Sequence, residues 1–133
     1  MFRSLSLAAL FALSFSFSST GCGGSSTPGG PPAHGVAPTR LVTSLTAEEI
    51  EKVCADSVAR LGGENHTVQC GKHREFKTNT VDECKSSLGG VAKAKQCALT
   101  VGELDACTAA QAKDVCADHV ECNDLIAKSF SCR

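Results

Sequence analysis

The chain has 133 residues, with 13 Lys and Arg against 14 Asp and Glu, and nine cysteines. That length suits one small folded domain, and the near-balanced charge offers neither the basic stripe a nucleic-acid partner needs nor an acidic solvating tail. Trp and Tyr are absent and four of the six Phe fall in the first 17 residues, so the remainder needs covalent support, and this density of cysteine predicts disulfides formed in an oxidising compartment.

The first 22 residues read MFRSLSLAALFALSFSFSSTGC. Arg3 precedes an apolar run from Leu5 to Phe17, and small residues follow, which is the pattern of an export segment. The run is too short to span a bilayer comfortably, and the Gly/Ser/Pro stretch after it does not prolong it. STGC, residues 19 to 22, resembles the lipobox of bacterial lipoproteins, with Ser19 where Leu is usual. The resemblance implies a signal peptide over 1–21 and cleavage before Cys22. Cys22 would then carry a thioether-linked diacylglycerol and an acylated amino group, making membrane lipid its partner. Gly23, in place of an inner-membrane-retaining Asp, implies the outer membrane. The alternative is an ordinary signal peptide and a soluble secreted product. Residues 22–40 then form a lipidated cysteine and a flexible, partly polyproline-like tether, and two or more acyl chains anchor stably where one does not.

The folded domain is expected over 41–133. Three Thr-x-x-Glu boxes, TAEE at 46–49, TVDE at 80–83 and TVGE at 100–103, predict helix starts. The first helix should run from Ala47 to Leu61, with Ile50, Val53, Cys54, Ser57, Val58 and Leu61 on one face and Gly62-Gly63 as its stop. A polar loop, ENHTVQCGKHREFKTN, should follow, with HTVQC as its one short candidate for a strand. The second helix places Val81, Cys84 and Leu88 together and should break at Gly89-Gly90. The third, from Val101 to Cys116, carries a stripe of Leu104, Cys107, Gln111 and Val115. The fourth carries Cys122, Leu125, Ile126, Ser129 and Phe130 on one face. The expected architecture is all-α, a small disulfide-stapled bundle of about four short helices.

With Cys22 lipidated, Cys54, Cys70, Cys84, Cys97, Cys107, Cys116, Cys122 and Cys132 remain, an even set for four bridges. Nested helical hairpins predict the pairs Cys54 with Cys97, Cys70 with Cys84, Cys107 with Cys132 and Cys116 with Cys122.

Candidate chemistry is sparse. Cys116, His119 and Cys122 have metal-like spacing, but they lack the paired Cys-x2-Cys of a persuasive zinc site and are read as two disulfide cysteines and a surface histidine. No Cys-x-x-Cys redox or haem motif, phosphate loop or nucleophile elbow occurs, so neither a cofactor nor catalysis is expected. Glu48, Glu49, Asp105 and Asp114 are read as a charged outer face. His66, His73, Arg74 and Glu75 crowd the polar loop and form the one possible recognition surface. Export signal, tether and cysteine pattern together resemble the small cysteine-rich lipoproteins of environmental bacteria, notably myxobacteria. That resemblance implies an envelope-anchored, non-catalytic binding or accessory role. A secreted effector, toxin or inhibitor, and a structural envelope component, are the alternatives.

Overall fold

The computed structural model describes residues 32–132. Within them, helices α1 (Ala47–Arg60), α2 (Val81–Ala92), α3 (Val101–Lys113) and α4 (Val120–Ser129) form a small bundle. A short antiparallel hairpin, β1 (Thr67–Gln69) with β2 (Glu75–Lys77), occupies the expected polar loop. Its register sets Val68 opposite Phe76, the half-buried pair of the hairpin. The expected signal peptide over 1–21, Cys22 and the expected tether as far as residue 31 lie outside the described residues.

All three capping boxes form. Thr46, Thr80 and Thr100 each accept the N3 amide of α1, α2 and α3, and Glu49, Glu83 and Glu103 each accept the cap amide in return. Both halves of the device satisfy helix-end donors that would otherwise lack partners. Glu49 is held below the ordinary carboxyl range chiefly by the Thr46 amide, and Glu103 chiefly by the Lys128 ammonium. A lowered folded-state pKa gives stability that is present above the ordinary carboxyl value of about 4.3 and is lost as pH falls through the lowered one. The unfolding midpoint in urea should therefore drop as pH falls from 5 towards 3. Glu103→Gln should lower the midpoint at pH 6 but leave it unchanged at the acid end, and an equal loss at both ends would sink this assignment.

The core is aliphatic: Val42, Ile50, Val53, Cys54, Leu88, Leu99 and Val101. The two Phe of the described residues are not among them, and Phe130 is 80% exposed. The apolar face expected for α1 holds at Ile50, Val53, Cys54 and Val58, but the same helix also buries Asp56 and Arg60. The buried positions of α3 are Val101, Asp105 and Thr108, with Leu104 packed at the core's edge. Asp105 is thus an interior residue and not part of an outer charged face. The expected α4 stripe splits: Cys122 and Leu125 pack inward, whereas Ile126 and Phe130 face outward.

Two helix ends also differ from expectation. α2 continues through Gly89-Gly90 to Ala92, because Leu88, Val91 and Ala92 all pack on the core and tertiary burial outweighs the roughly 1 kcal/mol helix penalty of each glycine. α3 ends at Lys113, short of Cys116: Asp114 turns extended and its Oδ1 accepts the Cys116 amide at 3.0 Å.

Ordered structure also begins before residue 41. Leu41 bridges Thr100, with Val42 N–H donating to the Leu99 carbonyl at 2.8 Å and Val101 N–H to the Arg40 carbonyl at 2.9 Å. Gly102 N–H donates to the Pro38 carbonyl at 2.8 Å, and a Cβ on Gly102 would lie 2.9 Å from that oxygen. The close approach of arm to helix therefore requires glycine there. Residues 33–40, expected as part of the tether, form an arm laid along the bundle.

All eight cysteines of the described residues are bridged, but none of the four expected pairs forms. The bridges are Cys54–Cys84, Cys70–Cys116, Cys97–Cys132 and Cys107–Cys122. The expected nesting assumed that α3 reaches Cys116 and that Cys70 faces α2. With α3 ended at Lys113, Cys116 lies in the α3–α4 loop, where the hairpin's Cys70 meets it. Cys122, in the first turn of α4, then falls level with Cys107. Cys132 follows Cys122 by the same ten residues that separate Cys107 from Cys97, so the antiparallel pair is bridged at both ends.

Candidate functional site

Two features of the bundle carry polar chemistry, and they share Arg60. The first is a buried network. Asp56 and Arg60 occur three and seven residues after Val53 on α1, so helical periodicity turns both toward the core. Asp105, four residues after Val101, is turned inward in the same way from α3. The arm supplies the fourth member, His34, whose side chain is 1% exposed. Val36 N–H donates to His34 Nδ1 at 3.0 Å, so the ring proton sits on Nε2, which faces both Asp105 oxygens at 3.0 and 3.2 Å. Ala33 N–H donates to Asp56 Oδ1 at 3.1 Å. Arg60 Nη1 lies 3.7 Å from Asp56 Oδ2 and 3.8 Å from Asp105 Oδ1, between the two carboxylates at ion-pair distance.

Chemically the network is a latch. A His–Asp pair is half of a nucleophile-activating relay, but that relay needs the second ring nitrogen free to take a proton, and here it is engaged by the Val36 amide. The His34, Asp56 and Asp105 donor atoms lie within 4.8 Å of one another, close enough to suggest a cation site. The guanidinium beside both carboxylates already supplies the compensating positive charge. What the arrangement does is fasten the arm: two consecutive arm residues, Ala33 and His34, bond to carboxylates on two different helices.

The second feature is a cleft of about 350 Å³ between the C-terminal ends of α1 and α3 and the hairpin. Leu61, Val68, Phe76 and Val115 give it apolar walls, and Arg60, His66, Gln111, Lys113 and Asp114 line it with polar groups. The hairpin is fixed over it by three contacts. Thr78 Oγ1 donates to the Leu61 carbonyl at 3.2 Å, Arg74 Nη2 donates to the Cys116 carbonyl, and the Cys70–Cys116 bridge joins the hairpin to the α3–α4 loop. The His66 ring lies against Gly62, whose φ is +99° and where a Cβ would stand 2.6 Å from His66 Cδ2. Glycine is thus needed there both for the backbone turn and for the ring's position. Its volume is at the lower end of the range for small-ligand pockets, and it is open to solvent on one side.

The structure separates the four residues of the expected recognition surface. His66 lines the cleft, and His73 is exposed in the hairpin turn. Arg74 pins the hairpin to the α3–α4 loop, while Glu75 accepts from Gln69 on the opposite strand. Cys116 and Cys122 belong to different disulfides, and His119 Nε2 contacts the Asp114 carbonyl at 2.6 Å, so no Cys116–His119–Cys122 metal set forms. No helix among the described residues is long and apolar enough to cross a membrane. No protein-family model, curated protein or solved structure matches this chain.

Proposed function

We propose that this chain is an envelope-anchored lipoprotein, held in the membrane by lipid on Cys22, whose stapled domain binds a ligand without catalysis in the cleft beneath the hairpin. The observation that carries the anchor is cysteine accounting. Eight of the nine cysteines pair among themselves in four bridges, which leaves Cys22 no cysteine partner within the chain. An unpaired exported thiol would be a reactive liability, and the lipobox-like STGC before the tether offers a use for it. The binding role is supported by the cleft's shape and its rigid, disulfide-held walls. A non-catalytic role is supported by the burial of the His34–Asp105 pair under the arm. The outer membrane is the location favoured by Gly23.

The deciding measurement is the intact mass of the protein extracted from its native membrane with detergent. The expected species starts at Cys22, carries diacylglyceryl and acyl groups, and lacks eight hydrogens for four bridges. Cys22→Ala should move the protein from the membrane to the soluble fraction. A membrane-extracted or secreted product with Cys22 as a free thiol or in an intermolecular disulfide would overturn the anchor. It would favour the second reading, a secreted disulfide-rich inhibitor or effector, for which the exposed hairpin turn held by Cys70–Cys116 is the supporting feature.

A further inference from the structure

The bundle leaves one apolar ridge without cover. Ile126 and Phe130 stand one turn apart on and just beyond α4 and are 48% and 80% exposed. Together they are the outward half of a helix whose inward half, Cys122 and Leu125, packs on the bundle. Single exposed apolar residues are ordinary on a protein surface, but an aromatic and an aliphatic side chain at helical spacing form a continuous patch. The Cys97–Cys132 bridge, with its Cα atoms 4.4 Å apart, brings a second segment to the same end of the molecule. That segment, VAKAKQC, carries Lys93 and Lys95, both exposed and in no ion pair among the described residues. Lys128, nearer in sequence, is bound to Glu103.

An aromatic and an aliphatic side chain, with exposed lysines on the segment that the Cys97–Cys132 bridge ties to theirs, have the composition of a membrane-interface contact. In such a contact the apolar side chains enter the headgroup and acyl boundary and the lysines meet anionic headgroups. The chain outside the structure sets the distance. Eleven residue steps separate Cys22 from Ala33, where the arm is fastened to Asp56, and at full extension they reach no more than about 40 Å. A domain on so short a lead is always beside the bilayer, at a high effective concentration for any weak surface contact.

We propose that Ile126 and Phe130, with Lys93 and Lys95, form a second membrane contact, specific for anionic phospholipid, that lays the domain on the bilayer instead of letting it stand off. This rests on the lipid anchor for its biological setting, but the contact itself is testable without the anchor. The exported chain carrying Cys22→Ala, oxidised and purified, is sedimented with vesicles of phosphatidylglycerol and phosphatidylcholine in equal parts, and with phosphatidylcholine alone. Partition into the anionic vesicles should be about 25-fold higher, about fivefold for each lysine, and should fall as salt screens them. Lys93→Gln and Lys95→Gln should each lower it about fivefold, and Phe130→Ser should abolish it, with far-UV circular dichroism unchanged in all three. Absence of sedimentation, or sedimentation indifferent to Phe130 and the lysines, overturns the proposal. So does a Phe130-dependent dimer in size-exclusion chromatography, which would assign the ridge to a second copy of the chain. Intact mass reads Cys22 separately, so lipidation without vesicle binding removes the contact and spares the anchor, and the converse removes the anchor and spares the contact.

Discussion

Arg60→Met is expected to lower the unfolding free energy by about 3–5 kcal/mol, measured by urea denaturation with the disulfides intact. The guanidinium is 1% exposed and lies between Asp56 and Asp105 at 3.7 and 3.8 Å. Removing it leaves two buried carboxylates close together with no cation between them, and that desolvated charge accounts for the cost. The pair itself need not be strongly stabilising, because burying three ionic groups costs nearly as much as their attraction returns. The discriminating variant is therefore the double one. Adding Asp56→Asn to Arg60→Met removes one of the stranded charges and should recover about 1–2 kcal/mol of the loss. Lys85→Met is the control. Lys85 sits 3.6 Å from both Glu51 and Asp82 but is half-exposed and its partners are solvent-facing, so its loss should cost less than about 1 kcal/mol. His34→Ala isolates the arm: it should leave the bundle folded but expose residues 33–37 to limited proteolysis, because Asp105 would no longer hold them, while the backbone bonds to Pro38 and Arg40 keep the rest in place. If Arg60→Met costs no more than Lys85→Met, the network is not a buried charge cluster in solution.

The contrast between local and distant information explains what could be read from the sequence. The three capping boxes were legible because each is closed within four residues, with donor, acceptor and spacing all present in the string. α1, α2 and α3 followed from them and from apolar spacings such as Ile50, Val53, Cys54 and Val58, whereas α4, whose N-cap His119 makes no side-chain cap bond, followed from the spacing of Cys122, Leu125, Ile126, Ser129 and Phe130 alone. The hairpin was half legible: the candidate HTVQC contains β1, but β2 gave no signal, because each strand has three residues and turns only one of them, Val68 or Phe76, inward. One inward residue shows no alternation. Disulfide pairing depends on where α3 stops, and a single Asp114 turn redirected Cys116 from α4 to the hairpin. The latch was missed for a different reason. His34 lies in a Gly/Pro-rich segment whose composition reads as tether, and composition does not register one histidine that finds a pocket. Its receptors did leave a signal: Asp56 and Arg60 occupy interior positions relative to Val53, and Asp105 does so relative to Val101. Charged residues at interior helical positions call for buried partners, and the only histidine preceding the bundle is one of them.

Removing the Cys54–Cys84 bridge should be the most damaging of the disulfide deletions, and comparison with Cys97–Cys132 shows why. The two bridges close loops of 30 and 35 residues, so the chain-entropy model assigns them nearly equal stabilisation, about 3.6 and 3.8 kcal/mol. If unfolded-state entropy were the whole account, Cys54→Ala/Cys84→Ala and Cys97→Ala/Cys132→Ala would lower stability alike. They differ in surroundings. Cys54 is fully buried among Val53, Ile50 and Leu88 and its partner Cys84 packs at the edge of the same cluster, whereas Cys97, also at that edge, pairs with a half-buried Cys132 outside the cluster, so neither sulfur of that outer bridge is fully buried. Deleting the core bridge therefore leaves a void where two sulfurs filled the seam between α1 and α2, adding about 1–2 kcal/mol that the outer bridge does not incur. In thermal unfolding that excess corresponds to a midpoint about 4–15 °C lower for the core variant than for the outer variant. The seam bears this because the core has no aromatic side chain to fill it: Phe76 is in the hairpin and Phe130 faces outward. Equal midpoints for the two double variants would mean that the disulfides act only on the unfolded chain, and that the aliphatic core closes around Cys54 without needing its sulfur.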